Sequence, residues 1–172
     1  PRSAPTGGAG ARGDRTGSNL AKRRRGRMRG KAQRAKRQAG ARPLYYTEWN
    51  TSSNPRDRLH DEPFAAAFAT NILMGVADIV DGYSWWTCSD IFNENYMPSE
   101  PFQGGFGLLN IHAIAKPVYR AFQILHRLGT TRLVVDGLHD TVSVWAVRAD
   151  AHLTLLLTNH ALPGHPFKTA RV

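Results

Sequence analysis

The chain has 172 residues, a net charge of +10 and one cysteine. That length holds one domain with a real core but not a complete (β/α)8 barrel, which takes roughly 250 residues. A single cysteine excludes an intrachain disulfide and a thiolate metal cluster, and no window approaches the roughly 18 apolar residues of a membrane span. The charge is placed unevenly. Residues 1–40 carry 13 Lys and Arg against one acid, Asp14, a balance of +12, whereas residues 41–172 carry 10 bases and 12 acids, a balance of −2. The globular part is mildly acidic, so the basicity of the whole chain says little about its partner.

Residues 1–40 are rich in Gly, Ala, Arg and Ser, with Leu20 and Met28 the only large apolar side chains. So little apolar surface cannot offset the entropy of ordering, and a disordered basic tail is predicted. Lys22-Arg23-Arg24-Arg25-Gly26-Arg27 fits a nuclear-localisation or RNA-binding pattern but reads first as a solvated tail. No aromatic residue is interleaved to stack on bases. No apolar stretch follows the positive charges as in a secretory signal, which favours a cytoplasmic over a secreted location.

Pro43 to Asn50 reads as a short buried strand with Leu44, Tyr45 and Tyr46 as its apolar body, ended by the turn-forming run Thr51-Ser52-Ser53-Asn54-Pro55. Glu48 stands where this strand gives way to a loop, the place where α/β barrels keep catalytic groups, although this octet by itself reads first as an ordinary strand ending in a surface charge. A helix follows, with Asp61 as cap, Pro63 in the first turn, and Phe64, Phe68, Ile72 and Leu73 on one face. Its alanines 65, 66, 67 and 69 leave a thin side for a close neighbour, and Gly75 is expected to loosen or end it. Ile79 to Cys88 is a second strand, apolar and aromatic on both faces, with Cys88 read as a buried filler. Strand, helix, strand at this spacing is a βαβ unit with a parallel pair.

Ser89 to His112 is a long loop with Asp90, Phe92, Asn93, Glu94, Tyr96 and the glycines 104, 105 and 107, and a loop of that length is usually functional. A second helix opens at Pro117, buries Val118, Ala121, Phe122, Leu125 and Leu128, and ends at Gly129. From there the period changes to antiparallel β: 131–135, then 141–147 paired with 153–158 across Ala149-Asp150-Ala151. Pro163, Gly164 and Pro166 close the chain as though a domain had been cut. The predicted organisation is a tail (1–40), an α/β part (41–129) and a β part (130–172).

Several motifs now stand in one order: Tyr46-Thr47-Glu48-Trp49-Asn50-Thr51-Ser52; His60-Asp61 with Pro63-Phe64-Ala65-Ala66; Tyr83-Ser84-Trp85-Trp86-Thr87 with Ser89-Asp90-Ile91-Phe92; Gly104-Gly105-Phe106-Gly107-Leu108; and Ala115-Lys116-Pro117. The series resembles glycoside hydrolase family 39, in particular its β-xylosidases, over residues 43–164; residues 1–40 show no likeness to it. The resemblance implies strands seven and eight of a partial (β/α)8 TIM barrel with their helices, followed by part of an antiparallel β-sandwich. It implies a retaining mechanism on terminal β-xylosides, xylo-oligosaccharides or aryl β-xylosides, with Glu48 as nucleophile. A second carboxyl group, roughly 5 to 5.5 Å away, protonates the leaving oxygen and then activates water. That group lies on an Asn-Glu-Pro motif of the fourth strand in the family and is absent from these residues, so the chain alone is expected to be inactive.

By the same resemblance Trp86 is the platform under the sugar ring and Glu94 binds its hydroxyls, although Glu94 reads equally as solvated loop charge. Asp90, Phe92 and Asn50 are expected to contact the substrate, the first two by shaping that wall, and Asn50 or Tyr46 to serve Glu48, one parity only. His60 reads as a loop or capping residue. No metal or organic cofactor is implied, and a homo-oligomer is left open. Two other readings stand: a non-catalytic nucleic-acid-associated protein acting through its basic tail, and an α-L-iduronidase-like hydrolase.

Overall fold

A computed structural model describes residues 26–93, 97–137, 139 and 141–162. Residues 22–25 of the basic run, Glu94, Asn95 and Tyr96 of the long loop, and the closing Pro163, Gly164 and Pro166 lie outside them. The chain is α/β. Helix α1 covers residues 26–39, β1 Tyr45–Trp49, α2 Pro63–Val76, β2 Gly82–Trp85 and α3 Pro117–His126. Three further strands follow: β3 Thr131–Leu133, β4 Val142–Ala149 and β5 His152–Asn159. A 3-10 turn at Arg58–His60 precedes α2. No helix among the described residues is long and apolar enough to cross a membrane.

Helix α1 corrects the prediction of disorder over residues 26–39. Counting large apolar residues missed how this helix docks, which is through small ones: Ala32 is fully buried in a cluster with Val76 and Val80, flanked by Leu44, Tyr46, Ile79 and Tyr83. Its cations are partly consumed in the fold. The Arg29 guanidinium donates to both Asp78 oxygens at 2.7 and 2.6 Å and to the Gly75 carbonyl, which places a cation at the C-terminal end of α2, where the helix dipole favours one. Lys36 Nζ donates to Arg42 O at 3.0 Å and to Asp81 Oδ2 at 3.3 Å. Gly40, at φ +62, lets the chain leave α1.

Strands β1 and β2 form the expected parallel pair, but shorter than predicted, with Tyr45 opposite Gly82, Tyr46 opposite Tyr83 and Trp49 opposite Trp85. Three steps along β1 match two along β2, so β1 carries a bulge between Tyr46 and Trp49. Both residues therefore turn to the helices. Tyr46 stacks on Tyr83 with ring centroids 5.3 Å apart, and Trp49 stacks on Phe68 at 5.9 Å and meets Trp85 edge-on at 5.0 Å. The two residues between them, Thr47 and Glu48, stay exposed.

Helices α2 and α3 fall where the apolar spacing places them. The thin alanine side of α2 is its closest-packed side: Ala65 and Ala69 are fully buried against Trp85 and Val118, with Trp49, Leu108 and Phe122 around them. Three details differ from expectation. The N-cap of α2 is Glu62, whose side chain makes no cap bond, while Asp61, the expected cap, is engaged with Lys116. Gly75 sits inside α2 rather than ending it. Gly129 is required by proximity, since a Cβ there would lie 2.5 Å from Arg148 O and from Ala149 Cβ.

The antiparallel sheet has the order β3-β4-β5, and β4 pairs with β5 from Val142 opposite Asn159 to Ala149 opposite His152. One face carries the buried Ser143, Trp145, Val147 and Thr158; on the other, Val144, Leu153, Leu155 and Leu157 are exposed. Arg132 of β3 ties this sheet to the first unit. Its guanidinium lies 4.2 Å over the Trp145 ring and donates to Met74 O of α2 at 2.9 Å.

Candidate active site

Parallel strands bring their C-terminal ends side by side, and here those ends carry Glu48 and Trp86. Trp86 N donates to Trp49 O at 2.9 Å, so Trp86 follows directly on the last paired residue, while Glu48 directly precedes it. Because Trp49 and Trp85 turn to the helices, alternation sends Glu48 and Trp86 to the opposite side. The Glu48 carboxylate is exposed there, and among the described residues no donor or cation contacts it. The Trp86 ring is half-buried and meets Phe92 edge-on at 5.2 Å. Phe92 is 41% exposed, a long-loop residue standing beside the indole. The Trp86–Thr87 peptide is cis.

Two of the expected sugar-contacting residues have other employment. Asn50 Nδ2 donates to Trp86 O and, at 3.1 Å, to Phe106 O, while its Oδ1 accepts from Thr51 N at 2.7 Å. Its amide stitches the end of β1 to the end of β2 and to the glycine-rich segment, which leaves no free donor for Glu48 or a sugar. Tyr46 is on the helix side and serves neither. Asp90 is 6% exposed; Oδ1 accepts from Gly107 N at 2.7 Å and Oδ2 lies 2.7 Å from Lys116 Nζ. Cys88, expected as a buried filler, is exposed. The strand pairing has ended by that point, so it lies beyond the sheet's cover.

Sequence reasoning missed Lys116. Its side chain is fully buried, and Nζ has three partners: Asp90 Oδ2, Asp61 Oδ1 at 2.6 Å as an ionic contact, and Gly105 O at 2.9 Å. Asp61 Oδ2 in turn accepts from Gly104 N at 2.5 Å. The glycines are dictated by this packing. A Cβ on Gly105 would sit 2.4 Å from Asp90 Oδ1, one on Gly107 2.4 Å from Asp90 N, and one on Gly104 2.7 Å from the Asp57 carbonyl carbon. His60 belongs to the same region and is 2% exposed. Its Nδ1–H donates to Gly104 O at 2.8 Å, and Nε2 lies 3.2 Å from Ser52 Oγ, whose hydroxyl donates to Asp57 Oδ2 at 2.6 Å. Burial pushes the His60 imidazole below its usual pKa, against the pull of the Gly104 carbonyl and the nearby Asp57. In the sequence Lys116 appears only within the Ala115-Lys116-Pro117 motif ahead of α3, and nothing local distinguishes it from a solvated lysine.

Among the described residues no group of three or more His, Cys, Asp or Glu could hold a metal ion. The site is an exposed carboxylate beside an aromatic wall, an arrangement that suits a neutral polyhydroxylated ring: apolar ring faces lie on indole, and charge develops next to the carboxylate.

Comparison with known proteins gives the same direction. The sequence profile of Glycosyl hydrolases family 39 matches residues 3–172. A β-xylosidase of Caldicellulosiruptor saccharolyticus is 42% identical over 156 residues, which cover 89% of this chain and 32% of that protein. One of Geobacillus stearothermophilus is 44% identical over 95 residues, 55% of this chain and 19% of that protein. Among solved structures, a family 39 β-xylosidase from Caulobacter crescentus superposes with a TM-score of 0.62 at 39% identity, over 73% of this chain and 29% of that one. The family 39 enzyme of Xanthomonas axonopodis pv. citri gives 0.61 at 35% identity, over 72% and 24%. This chain thus spans about a third or less of the relatives it matches. The profile match also corrects the expectation that residues 1–40 show no likeness to the family, since it begins at residue 3. Composition dominated that expectation, and a helix docked through alanine leaves little in composition to recognise.

Proposed function

This chain belongs to glycosyl hydrolases family 39, and from that premise we propose that it forms part of a retaining β-xylosidase site. Glu48 is the nucleophile: one carboxylate oxygen attacks the anomeric carbon of a terminal β-xyloside as the glycosidic bond breaks, giving a covalent glycosyl-enzyme. Water later hydrolyses this intermediate and frees the carboxylate. A second carboxyl group donates a proton to the leaving oxygen and afterwards takes one from the water. Trp86, braced by Phe92, is the platform for the apolar face of the ring, and Glu94 is a partner for its hydroxyls.

The observation that carries this reading is the exposed Glu48 at the end of β1, next to Trp86 at the end of β2. β1 and β2 fit as the seventh and eighth strands of a (β/α)8 barrel with α2 and α3 as their helices, and β3–β5 as part of a β-sandwich beginning near residue 130. In such a barrel catalytic groups gather at the C-terminal ends of the strands, where Glu48 and Trp86 stand. The face that Glu48 shares would be the barrel interior. The 172 residues alone are expected to turn over no xyloside, because the leaving group stays unprotonated without the second carboxyl group.

The test is a chimera in which these residues replace the matching segment of the Caldicellulosiruptor relative, treated with a 2-deoxy-2-fluoro-β-xyloside. The tag is expected on the peptide bearing Glu48 and is expected to vanish in Glu48→Gln. Labelling at another carboxylate, or a tag that survives Glu48→Gln, sinks the assignment.

A further inference from the structure

The motifs that set this sequence apart, other than the Glu48 strand and Trp86, meet in a buried knot around Lys116 rather than in the cleft. The knot joins the turn before α2 through Asp61, the start of the long loop through Asp90, and the glycine segment through Gly105 O. From Nζ to the sugar wall is a short path. The carbonyl next to Gly105, that of Phe106, accepts from Thr87 N at 3.0 Å and from Trp85 Nε1 and Asn50 Nδ2 at 3.1 Å each. Two of those donors flank Trp86, and the third, Asn50, stands two residues past Glu48. Residues 87–90 then run along 106–109, held by Leu108 N to Thr87 O at 2.9 Å and Leu109 N to Cys88 O at 3.0 Å.

We propose that Lys116 is a positioning residue for the sugar site. Its ammonium holds the glycine segment against the backbone on either side of Trp86, so the platform and the strand end bearing Glu48 are aimed as one body. Without the ammonium, Asp61 and Asp90, each within 2.7 Å of the same nitrogen, are like charges facing each other in a buried site. They repel, and Gly105 O loses its donor. The inference deepens the xyloside reading and rests on it for its binding arm alone.

The test uses the full 172-residue chain, with amide hydrogen exchange and quenching of tryptophan fluorescence by methyl β-xyloside as readouts. In Lys116→Met the amides of Thr87, Leu108 and Leu109 are expected to exchange about a hundredfold faster while those between β4 and β5 hold. Sugar affinity is expected to fall about tenfold. The triple variant Lys116→Met/Asp61→Asn/Asp90→Asn removes the repulsion. It is expected to melt like the parent yet keep fast exchange at Thr87 and weak binding, a separation that a purely stabilising role would not produce. Parental exchange at Thr87, Leu108 and Leu109 in either variant, or full recovery of affinity in the triple variant, overturns the proposal. Should Lys116→Met fail to fold, the triple variant carries both arms. A parent chain that shows no quenching moves the sugar arm to the Caldicellulosiruptor chimera carrying the same substitutions, and the exchange arm decides the role of Lys116 in either case.

Discussion

The two sheets of this molecule are held by opposite means. In β4–β5 the pairing is local: eight residues face eight across a short turn, and alternation assigns each side chain its face. In β1–β2 only three pairs are made, with a bulge among them. The ends of that pair are fixed by groups far away in sequence, with Asn50 reaching Phe106, Lys116 reaching Asp61, and His60 reaching Gly104. Local pairing tolerates change at exposed positions. A buried polar knot does not, because each member left without its partner keeps the full cost of desolvation.

Breaking the knot is therefore expected to matter most. Lys116→Met leaves two buried carboxylates without their counter-ion and should lower the free energy of opening the knot-bearing unit, though not of β4–β5, by about 3 kcal/mol, read by urea denaturation followed at the Thr87 and Leu108 amides; a loss under about 1 kcal/mol would show that the knot is no stronger than a surface pair. Next comes Gly107→Ala, whose Cβ would press on Asp90 N and Leu109 O at 2.4 and 2.5 Å. It should cost about 1–3 kcal/mol, and a neutral result would mean that the loop gives way freely there.

The pH dependence sharpens the same contrast. Burial lowers the His60 pKa in the fold from the ordinary 6.5. The unfolded chain binds the proton more readily, so the stability contribution is complete above pH 6.5 and is lost as pH falls through 6.5 towards the folded value. Stability measured from pH 8 down to 5 should drop in the parent and drop less in His60→Gln; parallel curves would remove His60 from the account. The smallest effects belong to the exposed groups. Leu155→Thr, on the open face of β5, and Arg29→Ala, which breaks an ion pair with side chains 40% and 53% exposed, should each shift stability by no more than about 0.5 kcal/mol. The Arg29 effect should fade further in high salt. A Leu155→Thr loss of several kcal/mol would mean that the open face is covered in solution.

What the sequence determined by itself was everything governed by near neighbours. Apolar spacing placed α2 and α3, alternation placed the β4–β5 hairpin, and the Thr47-Glu48-Trp49-Asn50 run before a turn put a carboxylate at a strand end. Tertiary structure decided the rest. The bulge that frees Glu48 depends on Tyr46 and Trp49 both finding aromatic partners on other elements, and no local rule marks it. Asn50 and Asp90 read as substrate-binding from the motifs that hold them, yet their atoms are used by the backbone of Phe106 and Gly107. α1 looked like a tail because its docking rests on one alanine and on ion pairs with residues more than 40 positions away. Lys116 is legible only in three dimensions, for a lysine becomes a buried ammonium when the chain brings two distant carboxylates and a carbonyl to it. Patterns along a chain report contacts made within a few residues; contacts made by folding back leave no period to read.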